Sequence, residues 1–211
     1  MQTDRIKVAS DGTGREDALN EVEKFASYVG LETQDTLRLR LLAEETMGMV
    51  SAITHEFKAD YWLEKNEDGA CIVHLKADTP MSMEKREQLL EVSTSGKNEA
   101  TKGFMGKIRN IFQNGVALIE DANKASMEQG GYPFMFFSMG AVNYNAIGAA
   151  ATAYDWSLSK YRENVESSMD ENPEAKEAWD ELETSIVASL ADEVKVSIQG
   201  NIVELTIEKK F

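Results

Sequence analysis

The sequence predicts an α/β two-layer sandwich, in which a mostly antiparallel, mixed sheet carries helices on one face. Three observations lead to this fold class. The chain opens with a strand, two helices and a β-hairpin, it closes with a second hairpin, and a stretch between them is expected to be a helical insertion. A length of 211 residues with 42% hydrophobic residues is enough for one buried core.

The first elements are a short strand and two amphipathic helices. Alternating apolar residues over residues 5–9 predict a strand. Apolar residues recur at helical spacing over residues 16–29, and Gly30 is a suitable C-terminal cap for that helix. The next apolar stripe predicts a second helix over residues 33–53. Both helices are therefore expected to pack against the sheet.

A hairpin and a loop-rich region come next. Residues 61–64 and 70–76 alternate apolar and polar side chains, and a turn-rich tetrad joins them. Residues 84–91 are expected to be helical, and residues 93–98, which are rich in Ser, Thr, Gly and Lys, are expected to form a loop. A further helix is predicted over residues 103–125.

The second half of the chain is predicted to be helical until its last hairpin. Residues 146–167 are expected to form one helix, and an Asn-Pro pair begins another over residues 173–190. Residues 194–198 and 202–208 flank a Gln-Gly-Asn turn, which predicts the closing hairpin. The chain is therefore predicted to have three parts: a core over 1–125, a helical insertion over 126–191 and the closing hairpin of the core sheet over 192–211.

Charge and cysteine content restrict the partners and the compartment. The net charge of −15 repels phosphate backbones and anionic membrane surfaces, so neither nucleic acid nor a membrane is expected as a partner. Residues 129–154 have no charged side chain, but glycine and asparagine interrupt them. They are expected to be buried as added core, and a dimer or partner interface is the alternative. The single cysteine, Cys71, and the absence of a signal-peptide pattern predict a cytoplasmic protein.

A family resemblance depends on two carboxylates and on the order in which the predicted helices and strands follow one another. Glu45 lies in the second predicted helix, and Asp78 directly follows the third predicted strand. A loop and a glycine pair then precede a helix, and the closing hairpin ends the chain. In these features, over roughly residues 5–112 and 192–209, the chain resembles the histidine-kinase-like ATPases, the GHKL superfamily. It is most similar to the anti-sigma-factor serine kinase branch.

The resemblance implies a histidine-kinase-like ATPase fold and a nucleotide site. In the family, the position of Glu45 holds a general base, and the position of Asp78 holds an aspartate that accepts a hydrogen bond from the adenine amino group. The cofactor-binding residues expected near the phosphates are Lys97, Lys102, Gly103 and Gly106. An alternative interpretation of each position stays open: Glu45 as a helix-surface residue, Asp78 as a turn or capping residue, and the lysines as part of a solvated loop.

The chain departs from the family pattern where the metal and the adenine are held. Met49 stands where the family has an asparagine that ligates magnesium, and a thioether is a poor ligand for that hard cation. Pro80 and Ser82 replace two glycines of the adenine motif. The sequence therefore predicts at best weak binding of ATP or ADP, which is largely independent of magnesium. Two histidines and one cysteine also do not supply an ordinary zinc site.

Three functions are compatible with these residues. The leading expectation is a cytoplasmic, ATP-binding regulatory protein with little or no hydrolysis. A second is a degenerate relative that binds no nucleotide and acts through a protein partner or as a homodimer. A third is an active serine protein kinase of the anti-sigma type, against which Met49 and Pro80 argue.

Overall fold

The computed structural model describes residues 1–53, 57–78, 153–168, 173–199 and 202–211. The strands formed by these residues are β1 (Ile6–Ala9), β2 (Lys58–Lys65), β3 (Cys71–Asp78), β4 (Ala153–Ser157), β5 (Glu193–Gln199) and β6 (Ile202–Lys209). The helices are α1 (Arg15–Val29), α2 (Thr33–Ile53), α3 (Leu158–Ser168), α4 (Pro173–Thr184) and α5 (Ile186–Leu190). The described part of the chain is thus a mixture of helices and strands, as predicted.

The six described strands form one sheet in the order β1-β2-β3-β6-β5-β4, and every neighbouring pair is antiparallel. The pairing of β3 with β6 places Leu75 opposite Leu205 and joins the opening hairpin to the closing one. The prediction that both hairpins lie in one sheet is confirmed. The expected mixed sheet is not seen among these strands, because all of their pairings are antiparallel.

Strand alternation gives the sheet two different faces. On one face, which we call the inner face, Tyr61, Leu75 and Leu205 are buried in one hydrophobic cluster. Each described helix contributes to that cluster, and representative residues from α1 to α5 are Phe25, Leu39, Leu158, Leu182 and Val187. The predicted layer of helices on one face is therefore present. The opposite face, which we call the outer face, carries the polar alternates of the same strands.

The end of α1 and the start of α2 lie where the sequence predicts them. Gly30 caps α1 in the left-handed conformation, with φ of 80°, and its amide donates to the carbonyl of Ser27 at 3.3 Å. The apolar stripe of α2 brings Leu39 and Leu42 into the core, where both are fully buried. The long helical pair is thus positioned by one glycine turn and by burial of its apolar faces.

One predicted helix begins later than expected. Residues 153–157 are the strand β4 and pair with β5, so the prediction of continuous helix over 146–167 is wrong there. The carboxylate of Glu193 fixes the new start, because it accepts hydrogen bonds from the Ser159 amide at 3.1 Å and hydroxyl at 2.6 Å. The region 126–191 therefore contributes a strand to the sheet as well as helices.

The helix predicted over 173–190 is divided in two. Ser185 leaves the helical conformation with ψ of 125°, and its hydroxyl oxygen accepts a hydrogen bond from the Ala188 amide at 3.3 Å. This N-cap begins α5, whose Val187 and Ala188 are buried in the core. A single straight helix is thus replaced by two helices that follow the core surface.

Several predictions lie outside the described residues. They are the helices over 84–91 and 103–125, the loop over 93–98, the domain boundary at residue 125, and burial of the uncharged residues up to 152. Within the described ranges, no helix combines the length and the apolar character that a membrane crossing requires.

Candidate functional site

One end of the sheet gathers the ends of three strands. The register of β1, β2 and β3 places Ala9 opposite Lys58, and Lys58 opposite Asp78. The chain leaves β1 here and enters the turn before α1. This end of the sheet therefore carries both the β1–α1 turn and Asp78, one of the two carboxylates that the resemblance singles out.

The β1–α1 turn is a tightly hydrogen-bonded structure. The carboxylate of Asp11 accepts a hydrogen bond from the Thr13 amide at 2.9 Å, and interactions with Thr13 hold the pKa of Asp11 below its ordinary value. Gly14 has φ of 74°, and a Cβ on it would lie 1.9 Å from the carbonyl oxygen of Lys7. Only glycine fits at that position, so the turn holds the start of α1 close against β1.

A small cavity lies between this turn, α2 and the start of β2. Its volume is about 70 Å³. Its lining residues are Val8, Ala9, Ser10, Gly12, Arg15, Met47, Gly48 and Phe57. Small-molecule pockets usually enclose about 300–1,000 Å³, so the cavity that these residues form is too small for a nucleotide. It is at most one corner of a larger site.

A second concavity, of about 270 Å³, lies on the outer face over β4, β5 and β6. Its charged lining residues are Asp155, Lys160, Lys195 and Glu204. Two acidic and two basic side chains surround one space, so neither anions nor cations are selected by net charge. Of the predicted site residues that the structure describes, neither Glu45 nor Asp78 lines this space.

Glu45 and Met49 lie one turn apart on α2 but differ in burial. Glu45 is partly buried at the edge of the apolar stripe. Met49, one turn later, is fully buried in the hydrophobic core. Between them, the buried Thr46 hydroxyl donates a hydrogen bond to the Leu42 carbonyl at 2.7 Å. The position where the resemblance implies a metal ligand is thus occupied by a core side chain.

Asp78 is exposed at the last position of β3. Its cross-strand neighbours Lys58 and Ile202 are exposed as well, whereas Ala77 is fully buried on the inner face. Alternation therefore places Asp78 on the outer face, while α2 and Glu45 lie on the inner side. The structure does not bring the two carboxylates onto one face, and a shared ligand would have to reach around the end of the sheet.

The remaining predicted site residues, Lys97, Lys102, Gly103 and Gly106, lie outside the described residues. Within the part that the structure describes, no group of three or more His, Cys, Asp or Glu side chains has a metal-binding arrangement. The described ranges therefore contribute the turn, the cavity and two separated carboxylates to the candidate site.

A cluster on the outer face was not predicted from the sequence. The rings of Trp62 and His74 stack at 4.6 Å with an angle of 6° between them, and the guanidinium of Arg5 lies 4.5 Å from the Trp62 ring centre. The signal was available, since equal offsets from the β2–β3 turn make Trp62 and His74 cross-strand partners. This cluster has no counterpart in the nucleotide-site prediction.

Comparison of the chain with protein-family profiles, with curated proteins and with solved structures found no match. Membership of the histidine-kinase-like ATPases therefore stays a prediction, which depends on the order of elements and on the residues described above.

Proposed function

We propose that this chain is a cytoplasmic regulatory protein of histidine-kinase-like architecture that binds ATP or ADP weakly and does not hydrolyse it. The observation that carries the proposal is the pairing of β3 with β6. It joins the opening and closing hairpins in one sheet, beside a helix pair on the inner face. A cytoplasmic location is supported by Cys71, the one cysteine of the chain, which has no intramolecular disulfide partner.

The surroundings of Met49 support the absence of hydrolysis. Magnesium prefers hard oxygen ligands in octahedral geometry, and it neutralises the charge that develops during phosphoryl transfer. The Met49 side chain is apolar and fully buried, so it offers no oxygen to a metal at the family position. Glu45, even as a base, would then lack the cation that the family mechanism requires.

The exposure of Asp78 and the charge of the chain support weak binding. An ionised carboxylate at a strand end is a suitable acceptor for the adenine amino group, and Asp78 is not enclosed by the described residues. The net charge of −15 also repels the phosphates of a nucleotide. A solvated contact and an unfavourable field both lower the affinity.

The test is a calorimetric titration of the full chain with ADP. Asp78→Ala should weaken binding by about 0.5–1.5 kcal/mol, which corresponds to roughly 2- to 13-fold, because the adenine amino group loses its acceptor at a solvated position. Asp68→Ala is a matched control, since Asp68 is an exposed aspartate in the turn at the opposite end of the β2–β3 hairpin. Equal affinity for the Asp78 variant would refute its role, and no binding by the native chain would refute the proposed function.

Exposed apolar side chains favour a second candidate, a protein-interaction module. Tyr28, in the last turn of α1, is 77% exposed, and Leu37, the fifth residue of α2, is 61% exposed. Both flank the turn between the helices, where a second copy of the chain could cover them. Solution mass measured across concentration tests this candidate: a dimer that Tyr28→Ser and Leu37→Ser together convert to a folded monomer supports it, and a native monomer at every concentration contradicts it.

A further inference from the structure

The outer face carries a stack of three side chains that the proposed nucleotide site does not use. Trp62 lies between Arg5, whose guanidinium is 4.5 Å from the ring centre, and His74, whose ring is 4.6 Å away and nearly parallel. The indole is 5% exposed, although it lies on the face turned away from the helices. An aromatic ring in this position attracts a cation at its face, so Arg5 is held by Trp62.

His74 is the titratable member of the stack. Its Nε2 lies 3.4 Å from a carboxylate oxygen of Glu64, and its buried Nδ1 has no hydrogen-bond partner among the described residues. Burial lowers the pKa of His74, Arg5 acts in the same direction, and Glu64 and Glu204 act against it. The pKa of His74 therefore lies below its ordinary value of 6.5, and the ring gains its charge at a lower pH than a free histidine does.

Arg5 ends a short segment, residues 1–5, that runs alongside β2. The Thr3 amide donates a hydrogen bond to the Leu63 carbonyl at 2.9 Å, and the Leu63 amide donates to the Thr3 hydroxyl at 3.0 Å. Gln2 and Glu64 form an isolated antiparallel bridge. The side chain of Arg5 on Trp62 adds a contact between this segment and the outer face.

We propose that Arg5, Trp62, His74 and Glu64 form a pH-responsive clasp, in which protonation of His74 loosens Arg5 and the segment 1–5 from the sheet. Two cations would then occupy opposite faces of one indole and compete for the same ring. Coupling is reciprocal: if Arg5 disfavours the charged form of His74, a charged His74 disfavours the bound position of Arg5. Glu64 would pair with the imidazolium and keep His74 in place, so that only residues 1–5, which precede β1, would loosen.

The test is an NMR titration of the folded full chain, which contains two histidines, with hydrogen exchange of the Thr3 amide measured at each pH. The His74 ring signal should titrate below the ordinary value of 6.5. Exchange of the Thr3 amide, corrected for its intrinsic pH dependence, should accelerate at least about fivefold with the same midpoint. His74→Gln should remove that step.

Two arginine variants separate the clasp from general acid effects. Arg5→Gln should raise the midpoint of His74, whereas Arg38→Gln, which removes an exposed arginine paired with Asp35 on α2, should leave it unchanged. The proposal is overturned if Arg5→Gln does not move the midpoint, or if exchange of the Thr3 amide does not follow the titration of His74. The titration of the native chain decides the second point even if a variant fails to fold.

Discussion

The two faces of the sheet carry different kinds of side chain, although their residues alternate along the same strands. At one register position, the inner face carries a row of buried side chains from four strands: Tyr61, Leu75, Leu205 and Val196. At the next position, the outer face carries Trp62, His74, Thr206 and Lys195. The same backbone therefore presents an apolar surface to the helices and a polar, titratable surface on the other side. Stability is expected to depend on the first face and pH response on the second.

The largest expected effect is a core truncation on the inner face. Leu205 is fully buried in β6, between β3 and β5. Leu205→Ala should lower the free energy of unfolding by about 2–5 kcal/mol, because it removes buried methyl groups and leaves a cavity. The control Thr206→Ala, one residue along on the outer face, should change it by less than about 1 kcal/mol. Denaturant titration of both variants checks the contrast, and equal losses would show that the two faces are not different.

The next effect concerns pH and the outer face. The pKa of His74 is lower in the folded chain than its ordinary value of 6.5 because burial disfavours the charged ring. Between those two values the unfolded chain binds more protons, so the free energy of unfolding should fall as pH drops below about 6.5. His74→Gln should flatten this dependence in denaturant titrations between pH 7 and about pH 5.

Two acidic groups titrate outside that window. Asp11 and Asp192 have pKa values below their ordinary value of 3.8, so their contributions to stability are lost at lower pH. Arg38→Gln, which removes an exposed arginine on α2, is the control and should keep the slope of the native chain. A slope that persists in His74→Gln would mean that the outer face is not its source.

The smallest expected effect is a gain on the inner face. The hydroxyl of Tyr61 is buried and has no hydrogen-bond partner among the described residues, and burial raises the pKa of Tyr61 strongly. Tyr61→Phe should leave the free energy of unfolding unchanged or raise it by up to about 1 kcal/mol, because an unsatisfied polar group is removed. Tyr28→Phe, at an exposed position, should have no measurable effect in the same titration. A clear loss in Tyr61→Phe would reveal a partner for its hydroxyl.

Local patterns in the sequence were sufficient for most of the described elements. The helices α1 and α2 and both hairpins have strong periodicity and local turn residues, such as Gly30, and the sequence predicts them. The strand β4 was missed, although the start of α3 has a local signal. The Ser157 hydroxyl accepts a hydrogen bond from the Lys160 amide at 3.4 Å, as an N-cap serine does, whereas the contact of Ser159 with Glu193 spans 34 residues and leaves no local pattern. The division at Ser185 has the same kind of local signal, since serine is a common N-cap residue.

The candidate site was less predictable than the fold. The resemblance identifies Glu45 and Asp78 by their order, but order does not state which side of a sheet a residue occupies. Strand alternation does: with Val73 and Leu75 on the inner face, an even-numbered position such as Asp78 falls on the outer face. The burial of Met49 likewise follows from its place in the apolar stripe of α2. Applying the period of each element would have separated these residues from the sequence alone.

The central claim, nucleotide binding without a metal ligand, is tested most directly by titrating the native chain with ADP in the presence of magnesium and again in the presence of a chelator. Because Met49 lies in the core and supplies no oxygen, we expect the same weak affinity in both experiments, within about threefold. Tight binding that requires magnesium would contradict the account, since it would show that the metal is held by residues other than those that the resemblance implies.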